Sequence, residues 1–472
     1  MNQVRAAIDL VFQTYDIRGE YPKLVSPRLA YLVGRALAAY VEEAMRAENA
    51  QVAIGRDARH GSDELAAAVA AGLASGGVTP VDLGRVSTDM VYFATGEYPG
   101  AFAGGVMITA SHNPPCDNGL KFVLANARSV DDTTGLKIIR DIMVARNDRA
   151  PDELPPLKAA RRDIAEAYVE KLFAVAPGPF APLKVVVDAG NGMATAIFPF
   201  VARRLHCETI PLHFQLDGDF PDRDPDPTAP GALEKLAAAV REHGADVGLA
   251  FDGDADRALI VDERGTVVSG SVLTALFAQL FLRRFPGQPV LFDLTCSLAV
   301  RDAIMEAGGM PVVAPVGHSR IKERMRRANG LFAGEESGHY YFRDFYYCDS
   351  GMLASLLLLE LLSATGARLS ELVRPIATRY HRVTDKMRFP SREEAIERVG
   401  RADARFPDAE AAEVTRLGPD LRKDYADWWF CVRPSGAERG LLRLTVEARD
   451  AATAASRLAE IKASIQPDAA EL

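Results

Sequence analysis

At 472 residues the chain is too long for one ordinary hydrophobic core and implies about three or four domains. Its 48% hydrophobic and 25% charged residues are ordinary globular values that argue against disorder. A net charge of −9 disfavours nucleic-acid and anionic-membrane partners, so any site for an anion must concentrate positive charge locally. Five scattered cysteines (Cys116, Cys207, Cys296, Cys348 and Cys431) form no Cys-x-x-Cys pair and suit a reducing compartment. The stretch from Met1 to Asp9 lacks a long apolar segment. The most apolar run, Leu353 to Leu362, is interrupted by Glu360 and is too short for a bilayer. The expectation is a cytoplasmic protein with no membrane partner.

The first segment, residues 1–155, opens on the compact stretch Phe12–Gly19 and a helical pattern from Ser26 to about Met45. Val52–Ile54 reads as a strand ending in Gly55-Arg56-Asp57, and Ser62 is expected to cap a helix through about Ser75. A second apolar run, Val106–Ile108, empties into Thr109-Ala110-Ser111-His112-Asn113-Pro114. Asn-Pro and Pro-Pro mark a turn, which puts Ser111 on a bend at a strand end with His112 beside it. Ligands of open α/β sheets bind beyond such ends, so Ser111 is a candidate nucleophile or phosphate carrier. The plainer alternative is turn chemistry, since Ser and Asn bond their own backbone. No Gly-x-Ser-x-Gly surrounds the serine, so the hydrolase template does not fit. Asn118-Gly119 suits a tight reversal into Leu120–Val123, which would bring Lys121 close to the loop. The acidic, Pro-rich stretch Asp152–Pro156 marks a boundary.

The second segment, residues 156–265, has a helical pattern at about Asp163–Val175. Strand Leu183–Val187 ends in Asp188, and a helix is expected at about Ala232–Glu242. Strand Val247–Phe251 then runs into Asp252-Gly253-Asp254-Ala255-Asp256-Arg257. In an extended segment, residues at i, i+2 and i+4 point the same way, so three carboxylates would converge and require a cation. Oxygen-only ligands select Mg²⁺ or Ca²⁺. An EF-hand is the competing reading: Asp252, Asp254, Asp256 and Glu263 fall at its first, third, fifth and twelfth positions. Its sixth position needs Gly, and here it is Arg257; the flanks read as strands. Three carboxylates leave room for phosphate oxygen on Mg²⁺, as phosphoryl transfer requires.

The third segment, residues 266–378, repeats the scheme with strand Val290–Leu294, a helix near Leu298–Ala307, strand Met310–Ala314 and a basic helix after His318. The fourth, residues 379–472, alternates strands and helices in an α+β manner. There Arg433-Pro434-Ser435-Gly436 lies between two apolar strands, suited to clamping a phosphate through a guanidinium and backbone N–H groups. Asp57 and Asp188, at strand ends, read as structural.

Three motifs occur in order: Thr109–Pro114, Asp252–Arg257 and Gly334-Glu335-Glu336-Ser337-Gly338-His339. Together they resemble the α-D-phosphohexomutase superfamily, most nearly its bacterial phosphomannomutase/phosphoglucomutase branch, from Phe12 to about Glu447. The resemblance implies four domains around a central cleft: three α/β domains with mixed sheets and a smaller α+β C-terminal domain. It implies that Ser111 carries the transferred phosphate. Mg²⁺ would be held by Asp252, Asp254, Asp256 and phosphorylated Ser111. Arg257 would contact the phosphoserine region, and Glu335 and Ser337 would read sugar hydroxyls. His339 would stand near the reacting hydroxyl. Arg18, Lys121 and His112 are further catalytic candidates; Tyr15 and His318 are substrate-binding candidates. Arg433, Ser435 and Gly436 would bind the phosphate that is not transferred.

Four positions depart from the family pattern: Glu336 for a frequent Met, Thr295 for a frequent Lys or Arg, Ala437 for Thr and Arg439 for Pro. The expected activity is interconversion of hexose 6-phosphate and hexose 1-phosphate, of mannose and also of glucose. It would run through phospho-Ser111, with glucose 1,6-bisphosphate or mannose 1,6-bisphosphate as activator, in a monomer or homodimer. Phosphoglucosamine mutase, dedicated phosphoglucomutase and a non-catalytic phosphosugar-binding homologue stand as alternatives.

Overall fold

The computed structural model describes residues 8, 10–45, 50–98, 100–146, 150–153, 159–435 and 440–466. The N-terminal stretch Met1–Asp9 and the break at Asp152–Pro156 fall largely outside these residues. The chain gathers into two compact units. One spans Met1–Ser269, Gly317–Phe332 and Ser337–Ser370; the other spans Gly270–Val316, Ala333–Glu336 and Glu371–Leu472.

The first unit holds two mixed sheets. The first uses β1 (Ile17–Glu20), β2 (Gln51–Arg56), β3 (Thr79–Arg85), β4 (Gly104–Ile108), β5 (Asp117–Leu124), β6 (Arg128–Ser129) and β7 (Ala160–Arg161), in the order β1-β5-β4-β2-β3-β7 with β6 on β5. β2 runs parallel to β3 and β4, whereas β5 pairs antiparallel with β4 and β1. Every residue of β4 is buried, which is why it reads as an unbroken apolar run. Helices Pro27–Met45 and Ser62–Ser75 pack together so closely that a Cβ on Gly72 would lie 2.2 Å from the Tyr31 carbonyl oxygen.

The second sheet uses β8 (Lys184–Asp188), β9 (Glu208–Leu212), β10 (Val247–Phe251), β11 (Ala258–Asp262) and β12 (Val267–Val268), in the order β12-β11-β10-β8-β9. The β10–β11 pair is an antiparallel hairpin, which removes the helix–loop–helix reading of the aspartate loop.

The third segment is shared between the units. The second unit holds the parallel pair β13 (Pro289–Asp293) and β14 (Met310–Ala314); short β15 (Phe332–Gly334) follows in sequence. The first unit holds the antiparallel pair β16 (Tyr340–Phe342) and β17 (Cys348–Asp349). The C-terminal sheet is wholly antiparallel: β18 (His381–Arg388), β19 (Glu413–Leu417), β20 (Asp420–Asp424), β21 (Trp428–Pro434) and β22 (Leu441–Ala448), in the order β18-β22-β21-β20-β19. Helices Arg392–Arg405 and Ala451–Ile465 cover it through Ala395, Val399, Ala402, Ala454 and Ile461. The architecture is therefore three α/β domains with mixed sheets and a sheet-rich C-terminal domain.

Two local expectations change. Ser62 is the first residue of its helix; its hydroxyl donates to Asp57 Oδ1 at 2.7 Å, and Gly61 takes the cap position. Asn118-Gly119 lies inside β5, and the reversal falls earlier, where Asp117 N–H bonds the Pro114 carbonyl. The two prolines make that turn, and the Asn118 amide instead donates to the His60 carbonyl and Ser62 Oγ, both at 3.0 Å. The apolar run Leu353–Leu362 is a buried core helix, Gly351–Thr365. Among the described residues no single helix is long and apolar enough to cross a membrane.

A buried carboxylate ties three segments of the first unit together. Asp89, with no exposed surface, accepts from Ser350 Oγ at 2.5 Å, from the Tyr168 hydroxyl at 2.6 Å and from Ser87 Oγ. Burial outweighs these donors and pushes Asp89 up to about 6. The folded carboxyl therefore holds its proton more tightly than the unfolded one, near pH 4. Its contribution to stability is complete below about pH 4 and is lost as pH rises through about 6. Equilibrium unfolding of the wild type and Asp89→Asn across this window should show their stability difference moving against the wild type by about 3 kcal/mol. A pH-independent difference would contradict this account of Asp89.

Candidate active site

The serine loop is held from beneath. Ser111, 1% exposed, has a left-handed backbone (φ 54°), and its N–H donates to Thr109 Oγ1 at 2.8 Å. The buried Arg59 guanidinium gathers four carbonyls of the loop. Nη2 donates to Ser111 O at 2.8 Å and Asn113 O at 2.6 Å, and Nη1 to Pro114 O at 2.7 Å and Asp117 O at 3.0 Å. The same guanidinium lies 4.9 Å from the Phe220 ring centroid and 3.3 Å from Asp57. Arg18, on β1, donates to the Ala110 carbonyl at 3.2 Å and Asn113 Oδ1 at 2.9 Å.

The aspartate loop faces the serine. A Cβ on Gly253 would lie 2.6 Å from the Ser111 carbonyl oxygen, so only glycine allows this approach. Ser111 Oγ lies 3.3 Å from Asp252 Oδ2 and 3.2 Å from His112 Nδ1. Asp252, Asp254 and Asp256 are at most 1% exposed, and each offers an oxygen within 4.8 Å of the others. They converge through a turn rather than an extended strand: Ala255 is left-handed (φ 61°), and its N–H bonds the Asp252 carbonyl.

Lys121 reaches this loop from β5. Its Nζ lies 2.7 Å from Asp254 Oδ2 and 2.8 Å from Asp256 Oδ2, and Thr88 Oγ1 donates to Asp254 Oδ2 at 2.5 Å. The other oxygens, Asp254 Oδ1 and Asp256 Oδ1, are buried without a hydrogen-bond partner. One oxygen of Asp254 and of Asp256 is thus engaged by Lys121; the other makes no hydrogen bond, although His339 Nδ1 lies 3.7 Å from Asp256 Oδ1. Burial acts to raise Asp254, but Lys121 outweighs it and holds the carboxyl below its usual range. Asp252 is pushed well above that range by burial and by Asp256 and Asp254. A buried all-oxygen trio with two oxygens that make no hydrogen bond and surplus negative charge fits a hard divalent cation.

Arg257 links two histidines. Its Nε donates to His339 Nε2 at 2.8 Å, and Nη2 lies 2.8 Å from His112 Nδ1. Behind His339, Nδ1 lies 2.8 Å from Asp349 Oδ2, and Lys322 Nζ lies 2.6 Å from Asp349 Oδ1. Burial, then Arg257, Arg18 and Lys121, holds His112 well below its usual value, so it is neutral at neutral pH. His318 is likewise lowered, by burial and then Lys322, and sits against Tyr15 with ring centroids 5.7 Å apart.

The first unit therefore brings together Ser111, His112, Lys121, Arg18, Arg257, His339 and the three aspartates, and it also holds Tyr15, His318 and Ser337. Glu335, Arg433 and Ser435 belong to the second unit, where Ser435 is 5% exposed and its N–H bonds the Leu441 carbonyl. Gly436, Ala437 and Arg439 lie outside the described residues. Sequence reasoning missed Arg59, Thr88, Lys322 and Asp349. Only Arg59 had a local signal, two residues after the strand-end Asp57.

Three family models cover most of the chain. Residues 9–148, 166–265 and 269–380 match the alpha/beta/alpha domains I, II and III of "Phosphoglucomutase/phosphomannomutase". A phosphomannomutase of Salmonella montevideo is 36% identical over 458 residues, 93% of this chain and 94% of that one. The phosphohexose mutases of Xanthomonas campestris pv. campestris are 38% identical over 452 residues, 95% of this chain and 98% of theirs. This chain belongs to the phosphoglucomutase/phosphomannomutase family. The crystal structure of a family protein from Burkholderia thailandensis superposes with a TM-score of 0.84 at 31% identity, covering 96% of each chain. The open form of Paramecium parafusin shares the fold, with a TM-score of 0.76 at 16% identity over 96% of this chain and 94% of that one. The protein is thus a phosphohexomutase, an isomerase.

Loop placement is the sensitive variable in this phosphohexomutase. Arg59→Met would free four loop carbonyls, and a displacement near 1 Å costs about 10²-fold in rate. Steady-state assays should show kcat reduced by about that factor, with KM changed less than about threefold. A kcat within about twofold of wild type would contradict the role assigned to Arg59.

Proposed function

We propose that this phosphohexomutase interconverts mannose 6-phosphate and mannose 1-phosphate, and the glucose pair as well, through phospho-Ser111. The observation that carries the reading is the placement of Ser111 Oγ between His112 and Asp252, itself a member of the aspartate trio. A phosphoserine there brings close to two negative charges to carboxylates that already lack compensation. Mg²⁺ held by Asp252, Asp254, Asp256 and a phosphate oxygen would neutralise that charge.

In the first half-reaction the Ser111 Oγ–P bond breaks as the free hexose hydroxyl forms a new O–P bond. The hydroxyl proton leaves to a base, and the serine oxygen takes one up. The hexose 1,6-bisphosphate then turns end for end, and the opposite phosphoryl group returns to Ser111. Bisphosphate of glucose or mannose would also restore phospho-Ser111 after any loss. Lys121, fixed between Asp254 and Asp256, serves as a charge-compensating cation. His339, braced by Asp349, and Arg257 orient the serine side of the site. Glu335, Arg433 and Ser435 are assigned to hexose hydroxyls and the resident phosphate. The five free cysteines support the cytoplasm as the compartment.

The test is phosphorus NMR with Mg²⁺ and catalytic glucose 1,6-bisphosphate, supplying mannose 1-phosphate, glucose 1-phosphate and glucosamine 1-phosphate in separate runs. Mannose and glucose 6-phosphates should appear. Ser111→Ala should reduce turnover by at least about 10³-fold, the scale of losing a covalent nucleophile. Normal turnover in Ser111→Ala would refute the phosphoserine route. Conversion of glucosamine 1-phosphate alone would refute the substrate assignment.

A further inference from the structure

The second unit carries a polar cluster that the reaction above leaves unused. Glu336 neighbours Glu335 in sequence, yet its carboxylate turns into the protein. Oε2 accepts from the Ser271 backbone N–H at 3.1 Å and from the Ser271 hydroxyl. Ser271 is the second residue of helix Gly270–Arg284, so Glu336 caps that helix from a distant segment and meets the positive end of its dipole. The approach is tight: a Cβ on Gly270 would lie 2.4 Å from the Glu335 carbonyl oxygen and 2.5 Å from that of Glu336. The Glu336 N–H donates to Asp293 Oδ2 at 3.3 Å.

Glu447 does the same for a second helix. Its Oε2 accepts from Trp429 Nε1 at 2.6 Å, and from Ser297 Oγ and the Leu298 N–H at 2.9 Å each, at the start of helix Leu298–Glu306. Arg382, on β18, stands between the two carboxylates. Nη1 lies 3.2 Å from Glu336 Oε1 and Nε 3.8 Å from Glu447 Oε1. Nη2 donates to the Thr295 carbonyl, and the guanidinium lies 5.6 Å from the Trp429 ring centroid. Strand register explains the row, because Arg382 and Trp429 both face Glu447 across the sheet. Burial pushes the Glu336 carboxyl up against the pull of Arg382. Burial acts to lower Arg382, and Glu336 and Glu447 outweigh it.

We propose that Glu336 and Arg382 are positioning residues for hexose recognition: their ion pair fastens the segment carrying Glu335 to the C-terminal sheet that carries Arg433 and Ser435. Arg382 also brings to the Thr295 carbonyl the positive charge that position 295 lacks. This rests on the reading of Glu335, Arg433 and Ser435 as hexose-phosphate ligands. Removing Arg382 leaves both Glu336 and the buried Glu447 under-compensated, whereas removing Glu336 as well leaves only Glu447 so. The pair should therefore show strong coupling.

The full chain and its Glu336→Gln, Glu336→Met, Arg382→Lys, Arg382→Met and Glu336→Met/Arg382→Met variants would be assayed with mannose 1-phosphate and glucose 1-phosphate. Amide exchange of peptides covering 293–298 and 333–338 would be followed in parallel. Arg382→Met and Glu336→Met should raise KM for both sugars at least about tenfold, lower kcat less than about threefold and speed exchange at 333–338. The double variant should be milder than Arg382→Met, since it leaves one carboxylate rather than two without the guanidinium, and Arg382→Lys and Glu336→Gln should be milder than the corresponding Met variants. Unchanged KM and exchange in both single variants, or additive losses in the double one, would overturn the pairing. If the wild type converts neither sugar, the hexose reading fails. Exchange then decides the pair alone: faster in the single variants and slower in the double one than in Arg382→Met supports it, and unchanged exchange refutes it.

Discussion

Three carboxylates buried within 4.8 Å of one another set the terms for the rest of the first unit. Two unit charges about 4 Å apart at an effective dielectric near 20 interact by about 4 kcal/mol, so the trio cannot stay ionised without cations beside it. Lys121 supplies one, anchored on β5, which pairs directly with the strand leading to Ser111. Arg257 supplies another, 3.6 Å from Asp252. Asp254 Oδ1 and Asp256 Oδ1 are buried without a hydrogen bond, with His339 Nδ1 3.7 Å from the latter, and the trio fits a divalent ion.

Orientation passes along a continuous polar chain. Lys322 meets Asp349, Asp349 meets His339, His339 accepts from Arg257, and Arg257 reaches His112 beside Ser111. The Arg257 backbone bridges that of His339 as well, so the aspartate loop and the His339 segment are fixed to each other twice. Arg59 performs a complementary task from the other side, drawing the loop carbonyls inward. Lys322, Asp349 and Arg59 hold their neighbours in place through these contacts.

The sequence made the reactive loops legible because each one is local: an apolar run, a turn residue and polar side chains at fixed spacing. Val247–Phe251 matched its strand residue for residue, and Met310–Ala314 did likewise. Local reasoning failed where tertiary contacts decide. Asn118-Gly119 looked like a turn, but its amide is used by His60 and Ser62, 58 and 56 residues away. The aspartates converge by a left-handed turn at Ala255, which alternation along a strand does not anticipate. Glu336 stood out only as a departure from the family pattern, and nothing local showed that its carboxylate caps a helix 65 residues earlier. No role was legible for Lys322 or Asp349, since a buried ion pair between distant segments leaves no local pattern.

The central claim is that phosphoryl groups pass through Ser111, and the direct measurement is rapid-quench labelling with hexose 1,6-bisphosphate carrying radiolabelled phosphate, followed by peptide mapping. The account expects a single labelled residue, Ser111, whose label is discharged to added mannose 1-phosphate or glucose 1-phosphate at least as fast as steady-state turnover. Label on another residue, or no label in enzyme that is turning over, would contradict it.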